Sequence, residues 1–147
     1  MSAALDIEGL VPLRQWLRRA WTRLGDRARL HAAAGRGVTD WVDRNFEAEG
    51  RLAADSPGGW PPLGRGTLAA RRRAGLGSKP LQASGRLRAG VRLRGDADAA
   101  VIDNPVPYAA RHQLGLGVPA RPFFPTPAQA RRIVHPPIES HVEEALQ

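Results

Sequence analysis

FEAEGRLAADSPGGWPPLGRGTLAARRRAGLGSKPLQASGRL, residues 46–87, is the stretch from which the rest of the chain can be placed. It opens on an aromatic spaced like a core residue, Phe46, and turns at Pro57-Gly58-Gly59. Trp60 comes next, and Pro61 and Pro62 force an extended path around it. A large aromatic in an extended loop gains most by burying its rings, so Trp60 reads as a packing anchor. Beyond it the pattern predicts a short helix over residues 68–74, with Thr67 as cap and Gly75 and Gly77 at its end. Arg71, Arg72 and Arg73 ride on that helix. The string Gly75-Leu76-Gly77-Ser78-Lys79 is not a phosphate loop, which needs Gly-Lys followed by Ser or Thr between a strand and a helix. Here Ser78 precedes Lys79 and Pro80 follows. No arrangement in the stretch looks catalytic, which favours an assembly protein over an enzyme.

Upstream, Leu13, Trp16, Leu17, Ala20, Trp21 and Leu24 recur at spacings of three and four, the apolar stripe of a helix over residues 10–24. Pro12 suits its first turn, and Arg14, Arg18, Arg19 and Arg23 fall on the other face. A basic membrane-surface helix is the functional alternative, and the near balance of acids and bases in this third of the chain argues against it. Gly25-Asp26 breaks the helix and Asp26 can cap the next, which runs to about Glu49 on an apolar face of Leu30, Ala34, Val38, Trp41, Val42 and Phe46. Gly35 and Gly37 weaken it by roughly 1 kcal/mol each against alanine. They mark either a kink or a close approach of another part of the chain. His31, near this face, reads as structural.

Downstream, Leu87, Val91 and Leu93 partly alternate with Arg86, Arg88, Arg92 and Arg94, and from Gly90 this reads as a strand. Gly95-Asp96 turns the chain into a second strand, residues 99–103, antiparallel to the first. Residues 108–114 make about two helical turns ended by Gly115, and 118–124 is a proline-broken edge segment or arm. Thr126-Pro127 starts a last helix that ends before Pro136-Pro137, followed by a short acidic helix or tail from Ile138 to Leu146. The fold class is therefore α+β: N-terminal helices packed on a small antiparallel sheet, with extended Pro/Gly-rich loops or arms and a C-terminal helix. All 147 residues read as one domain, divided into a helical part (10–49), an extended basic loop region (50–85), a sheet with a short helix (86–125) and a C-terminal helix and tail (126–147).

The net charge of +8 is unevenly placed. Residues 1–50 carry eight Arg against seven acids, residues 51–95 nine Arg and Lys79 against Asp55 alone, and residues 96–147 four Arg against six acids. The middle block of +9 can attract nucleic acid or an acidic protein face, or can be a solvated loop. The scarcity of lysine reads as coding background. With no cysteine there is no disulfide framework and no thiolate metal site, which fits a reducing compartment. The opening MSAALDIE is not a secretory leader, and no stretch approaches the roughly 18 apolar residues of a membrane span, so a soluble product of the cytoplasm is expected.

Six strings occur in order: FEAE (46–49), PGGWPPL (57–63), TLAAR (67–71), KPLQASGRL (79–87), YAARHQLG (108–115) and PARPFF (119–124). Over residues 10–135 the chain thereby resembles the virion-morphogenesis, or tail-completion, family of Mu-like and related tailed phages and prophages. The resemblance implies a structural protein of the phage neck, without enzyme activity or cofactor, made in the bacterial host cytoplasm and carried in the virion. It implies a subunit that completes or terminates the tail tube, or joins tail to head. The partners it implies are further copies in a ring, taken as hexameric, together with tail-tube or head-connector proteins. The small α+β subunits of such rings share the expected fold. Candidate contacts, chosen because they lie in loops or arms, are Trp60, Leu63, Arg71, Arg72, Arg73, Arg121, Phe123 and Phe124. Taken singly, Trp60 and Phe123 read first as core residues.

The alternative is a sequence-independent nucleic-acid binder using the Arg-rich segment 65–94, which can also touch packaged DNA within a neck. It lacks the interleaved aromatics of a single-strand platform. An enzyme is disfavoured: His112, near Tyr108 and Arg111, has no carboxylate or nucleophile at a useful spacing, and Asp96, Asp98 and Asp103 read as turn acidity. His135 and His141, six apart with prolines between, are not a helical metal pair. No small-molecule substrate, metal or membrane partner is expected.

Overall fold

The structure, a computed structural model, describes residues 10–147. The leader reading of residues 1–8 falls outside them. Two helices open the described chain, α1 (Leu10–Leu24) and α2 (Arg27–Glu47), separated where Gly25 and Asp26 leave the helical ladder. Asp26 caps α2 by accepting from Arg29 N at 3.1 Å. There follow α3 (Arg65–Arg73), α4 (Arg86–Ala89), the strands β1 (Arg92–Gly95) and β2 (Ala100–Asp103), α5 (Ala109–Leu114) and α6 (Pro127–Leu146). The fold is mixed α+β, mostly helical.

β1 and β2 form one antiparallel pair in the register Arg92↔Asp103, Leu93↔Ile102, Arg94↔Val101 and Gly95↔Ala100. The turn between them is held by Asp96 Oδ1, which accepts from Asp98 N (2.8 Å) and Ala99 N (3.1 Å). Of the three acids read as turn acidity, only Asp96 serves the turn with its side chain; Asp98 lies 3.9 Å from Arg27, and Asp103, at the end of β2, pairs with Arg92 and Arg94.

α2 is the spine. One face carries the hairpin and another carries α6. One of its two glycines marks a close approach. A Cβ on Gly35 would collide with Leu93 Cδ1, so the gap at residue 35 is the socket for the inward side chain of β1. A Cβ on Gly37 would stand 3.5 Å from Ile133 Cγ2 and 3.6 Å from Ile133 O, ordinary contact distances, so Gly37 faces α6 at a place where a methyl group would also fit. The helix runs unbroken through both.

Phe46, near the end of α2, is the centre of the core and fully buried, as is Phe123. The Phe46 ring meets Trp60 edge-on at 5.3 Å and Phe123 at 5.6 Å, and Phe123 meets Phe124 at 4.8 Å. Trp41, Val42, Ala53, Leu81, Leu87 and Ala109 complete the cluster. Four of its nine buried residues, Ala53, Trp60, Leu81 and Phe123, come from segments without regular structure, and side-chain amides fix these segments. Asn45 accepts from Leu52 N and donates to Pro122 O. Gln82 donates to Phe46 O, Gln113 accepts from Phe123 N and Phe124 N, and Gln129 donates to Leu52 O while accepting from Ala54 N. These amides satisfy backbone groups that no ladder reaches.

Four expectations need correction. The C-terminal helix does not stop before Pro136-Pro137 but continues through both to Leu146. Each proline denies a donor to a carbonyl four residues back, at a cost of about 3 kcal/mol in an isolated helix. Packing offsets it: His141 and Ala145 are buried beyond the prolines, and Trp16 Nε1 donates to Leu146 O at 2.8 Å. The start is as read, with Thr126 as cap and Pro127 in the first turn, and the structure adds a capping box in which Thr126 and Gln129 hold each other's backbone. Second, Thr67 is not a cap: α3 begins one turn sooner, after Gly64, because Leu68 N already bonds to Gly64 O. Its end is as read. Gly75 at φ +66 closes it with paired bonds from Gly75 N to Arg72 O and from Leu76 N to Arg71 O. Third, residues 118–124 are not an edge or arm. Arg121, Pro122 and Phe123 are buried, carried inward by Arg121 N donating to His112 O at 2.7 Å. Fourth, α1 lies on α6 rather than on the sheet, and of its apolar stripe only Ala20 is buried.

Candidate functional site

Of the eight residues singled out by loop placement, the structure gathers three around one cleft and puts the others elsewhere. The cleft has a volume of about 490 Å³, and Leu63, Arg71 and Arg121 all line it. Trp60 and Phe123 lie in the core, with Phe124 packed against it. Arg72 and Arg73 are exposed on α3, on which no residue is buried.

The cleft is built by four segments, the fourth running from Leu81 to Leu87. α3 supplies Arg71, whose Nη1 donates to Gly77 O (3.0 Å) and Lys79 O (2.9 Å), drawing the following loop back over the helix. The loop after Trp60 supplies Pro62 and Leu63, and its path is fixed from below. Trp60 Nε1 donates to Pro122 O at 2.8 Å, and Gly50, at φ +86, makes room for the indole where any Cβ would overlap it. α5 and the segment after it supply Tyr108, His112, Val118 and Arg121. Leu81 forms part of the wall at φ +60, a left-handed conformation unusual for a branched residue.

Electrostatically the cleft is one-sided. Arg121 is only 6% exposed, and its guanidinium donates to neutral acceptors, Pro61 O (2.9 Å) and Pro62 O (3.2 Å). Burial, with Arg71 nearby, lowers its affinity for its proton. His112 Nδ1 is buried without a hydrogen-bond partner. Burial, followed by the charges of Arg121, Arg111 and Arg71, holds the imidazole below the usual histidine range. Among the described residues, no carboxylate lies within 4.0 Å of Arg71 or Arg121, whereas Arg88 pairs with Asp43 and Glu47, and Arg92 and Arg94 both pair with Asp103. The cleft therefore offers cationic donors within apolar walls. Its lining carries the hydroxyls of Thr67, Ser84 and Tyr108 but no carboxylate, and no group of metal-ligating side chains occurs among the described residues.

A second surface lies at the other end of the molecule. On α1, Leu13, Leu17 and Trp21 are exposed, Trp21 to 80%, and on the neighbouring α6 so are Ile138, Val142 and Leu146. The two helices are joined by Trp16 to Leu146 O, by Arg23 Nη1 to Glu144 O and by the Arg29–Glu144 pair at 3.0 Å. No described helix is long and apolar enough to cross a membrane. This α6 ridge was missed in the sequence because the chain was taken to leave the helix at Pro136. The four-residue spacing of Ile138, Val142 and Leu146 was the available signal.

Searches of curated proteins and of solved structures return no match for the chain. A family profile does match it, over residues 9–143, and so spans both helical ends, the cleft and the core between them. On that match the chain belongs to the phage virion morphogenesis family.

Proposed function

We propose that this protein is a structural subunit of the head–tail neck, which completes or terminates the tail tube, or joins it to the head, as a homo-oligomeric ring. Family membership gives the coarser role, virion morphogenesis. The observation that carries the finer reading is the uncovered apolar face of α1, with Leu13 at 50%, Leu17 at 52% and Trp21 at 80% exposure. A helix that leaves its tryptophan in water is incomplete as a free monomer and is completed by a neighbour. The test is to delete the gene from its phage or prophage, induce, and image the lysate by negative-stain electron microscopy. Full heads beside unjoined tails indicate joining, and tails of irregular length indicate termination. Normal infectious particles would reject the reading.

A second reading, sequence-independent contact with packaged DNA, draws on α3. Arg65, Arg72 and Arg73 are exposed there and the helix bears no acid. The rest of the basic block supports it less, since Arg88, Arg92 and Arg94 are ion-paired. Binding of this kind weakens steeply with salt, and a flat salt dependence of DNA binding would exclude it.

A further inference from the structure

We propose that the cleft of Arg71, Arg121 and His112 is a receptor for carboxylate side chains, and that its occupant is the outer end of α6 of a second copy. The inference rests on the ring reading and adds which parts of successive subunits meet.

The first ground is charge without a counter-charge. Arg121 is buried, yet among the described residues its guanidinium donates only to the carbonyls of Pro61 and Pro62, and Arg71 is likewise held by the carbonyls of Gly77 and Lys79. Neutral acceptors fix a guanidinium in place but leave its charge uncompensated, a costly state inside a protein. An arriving carboxylate supplies the missing charge and brings acceptor oxygens to a site with donors to spare.

The second ground is shape. Arg121 is recessed between apolar walls that include Leu63, Leu81 and Val118. Duplex DNA presents its phosphates on a broad convex surface and cannot bring one to a recessed group. An acidic side chain projecting from a helix, with apolar neighbours to fill the walls, can.

The third ground is the complement. Between Ile138 and Leu146, α6 carries Glu139, Glu143 and Glu144 and no Arg or Lys. Glu144 is occupied by Arg29, and among the described residues Glu139 meets only His135 on its own helix. Glu139 and Glu143 are four apart, next to Ile138 and Val142 at the same spacing, so an acidic row runs beside an exposed apolar row. Apolar walls with a basic floor on one side match an apolar row with an acidic row on the other.

The fourth ground is placement. The donor end is tied to the start of α2 through Arg29 and Glu144, whereas the cleft lies by the end of α2, where Gln82 donates to Phe46 O. Arg29 and Phe46 are 17 residues apart on α2, so these two points are about 25 Å apart at 1.5 Å per residue. One copy cannot fill its own cleft. Two different patches on one subunit make a head-to-tail contact, which closes into a ring when the rotation per subunit permits.

Sedimentation velocity of the full-length chain over a range of concentrations tests this. Three variants are compared with wild type: Glu139→Arg with Glu143→Arg on the exposed helix, Arg71→Glu in the cleft, and all three together. Each reversal by itself is expected to weaken self-association at least tenfold with circular dichroism unchanged, and the triple variant to recover most of it. If wild type assembles and the Glu139→Arg/Glu143→Arg chain assembles equally well, the docking is wrong while the ring reading stands. If wild type stays monomeric at every concentration, both fail. A short random-sequence DNA duplex provides the last arm. If it binds wild type, displaces self-association and loses affinity with Arg71→Glu, the cleft belongs to phosphate and the proposal is overturned.

Discussion

Trp60 shows how far a single residue can be read. Its place in a Pro/Gly loop identified it as an anchor, but no pattern names its acceptor, because Pro122 O reaches it only after the chain has returned from 62 residues away. Arg121 was less legible. Arginine is mostly exposed, and only the built structure shows that two carbonyls of the Trp-Pro-Pro loop draw it inside. Trp60→Ala is expected to cost about 3–5 kcal/mol, the range for deleting a buried aromatic, and urea unfolding measures it. A loss below about 1 kcal/mol would mean that the loop holds without its anchor. His112 makes a prediction about pH. Its folded pKa is depressed by burial and neighbouring cations, so the unfolded chain binds more protons once the pH falls below the ordinary histidine value. Its neutral form is accommodated fully above that value, and stability declines as the pH drops from there toward the folded pKa. His112→Asn should remove that part of the slope in denaturation curves recorded between pH 7 and 5.

At the scale of elements, helix existence was legible almost throughout and helix ends less so. The stripe of α1, the cap of α2, the two strands and the Thr126 cap of α6 all follow from local spacing. The extent of α6 does not, because Pro136-Pro137 is a strong local stop signal that loses to contacts made with α1 and α2 over 90 residues earlier in the chain. Pro136 is exposed, so Pro136→Ala should raise the melting temperature, recovering part of the roughly 3 kcal/mol by which proline disfavours a helix interior. Gly35 makes the opposite case. Alanine favours helix by about 1 kcal/mol over glycine, yet Gly35→Ala should destabilise because its Cβ would collide with Leu93. Adding Leu93→Ala should recover some of that loss, and the coupling is read from a double-mutant cycle of thermal melts. Additive effects would show that the two residues do not share the socket.

For the whole molecule, amphipathic periodicity tells which face of a helix is apolar but not what covers it. The stripe of α1 was therefore legible, while its exposure was not: an apolar face looks the same in sequence whether its partner is the same chain or another. Leu17→Glu combined with Trp21→Glu should leave the fold's stability within about 0.5 kcal/mol, as for other surface changes, while lowering the yield of infectious particles in a plaque assay. A large drop in melting temperature would place these side chains in the monomer's own core instead. The interior has one further consequence, for synthesis. Asn45 and Pro122, which share a hydrogen bond at the centre of the core, are 77 residues apart, and α6, which covers α2, comes later still. A ribosome emits chain at about 5–20 residues per second, so the nascent protein spends several seconds with Phe46 and Trp60 lacking the segment that closes over them. Fragments from interrupted translation never acquire a finished interior. A fragment ending before Pro122 should therefore be cut faster than the full chain in limited proteolysis.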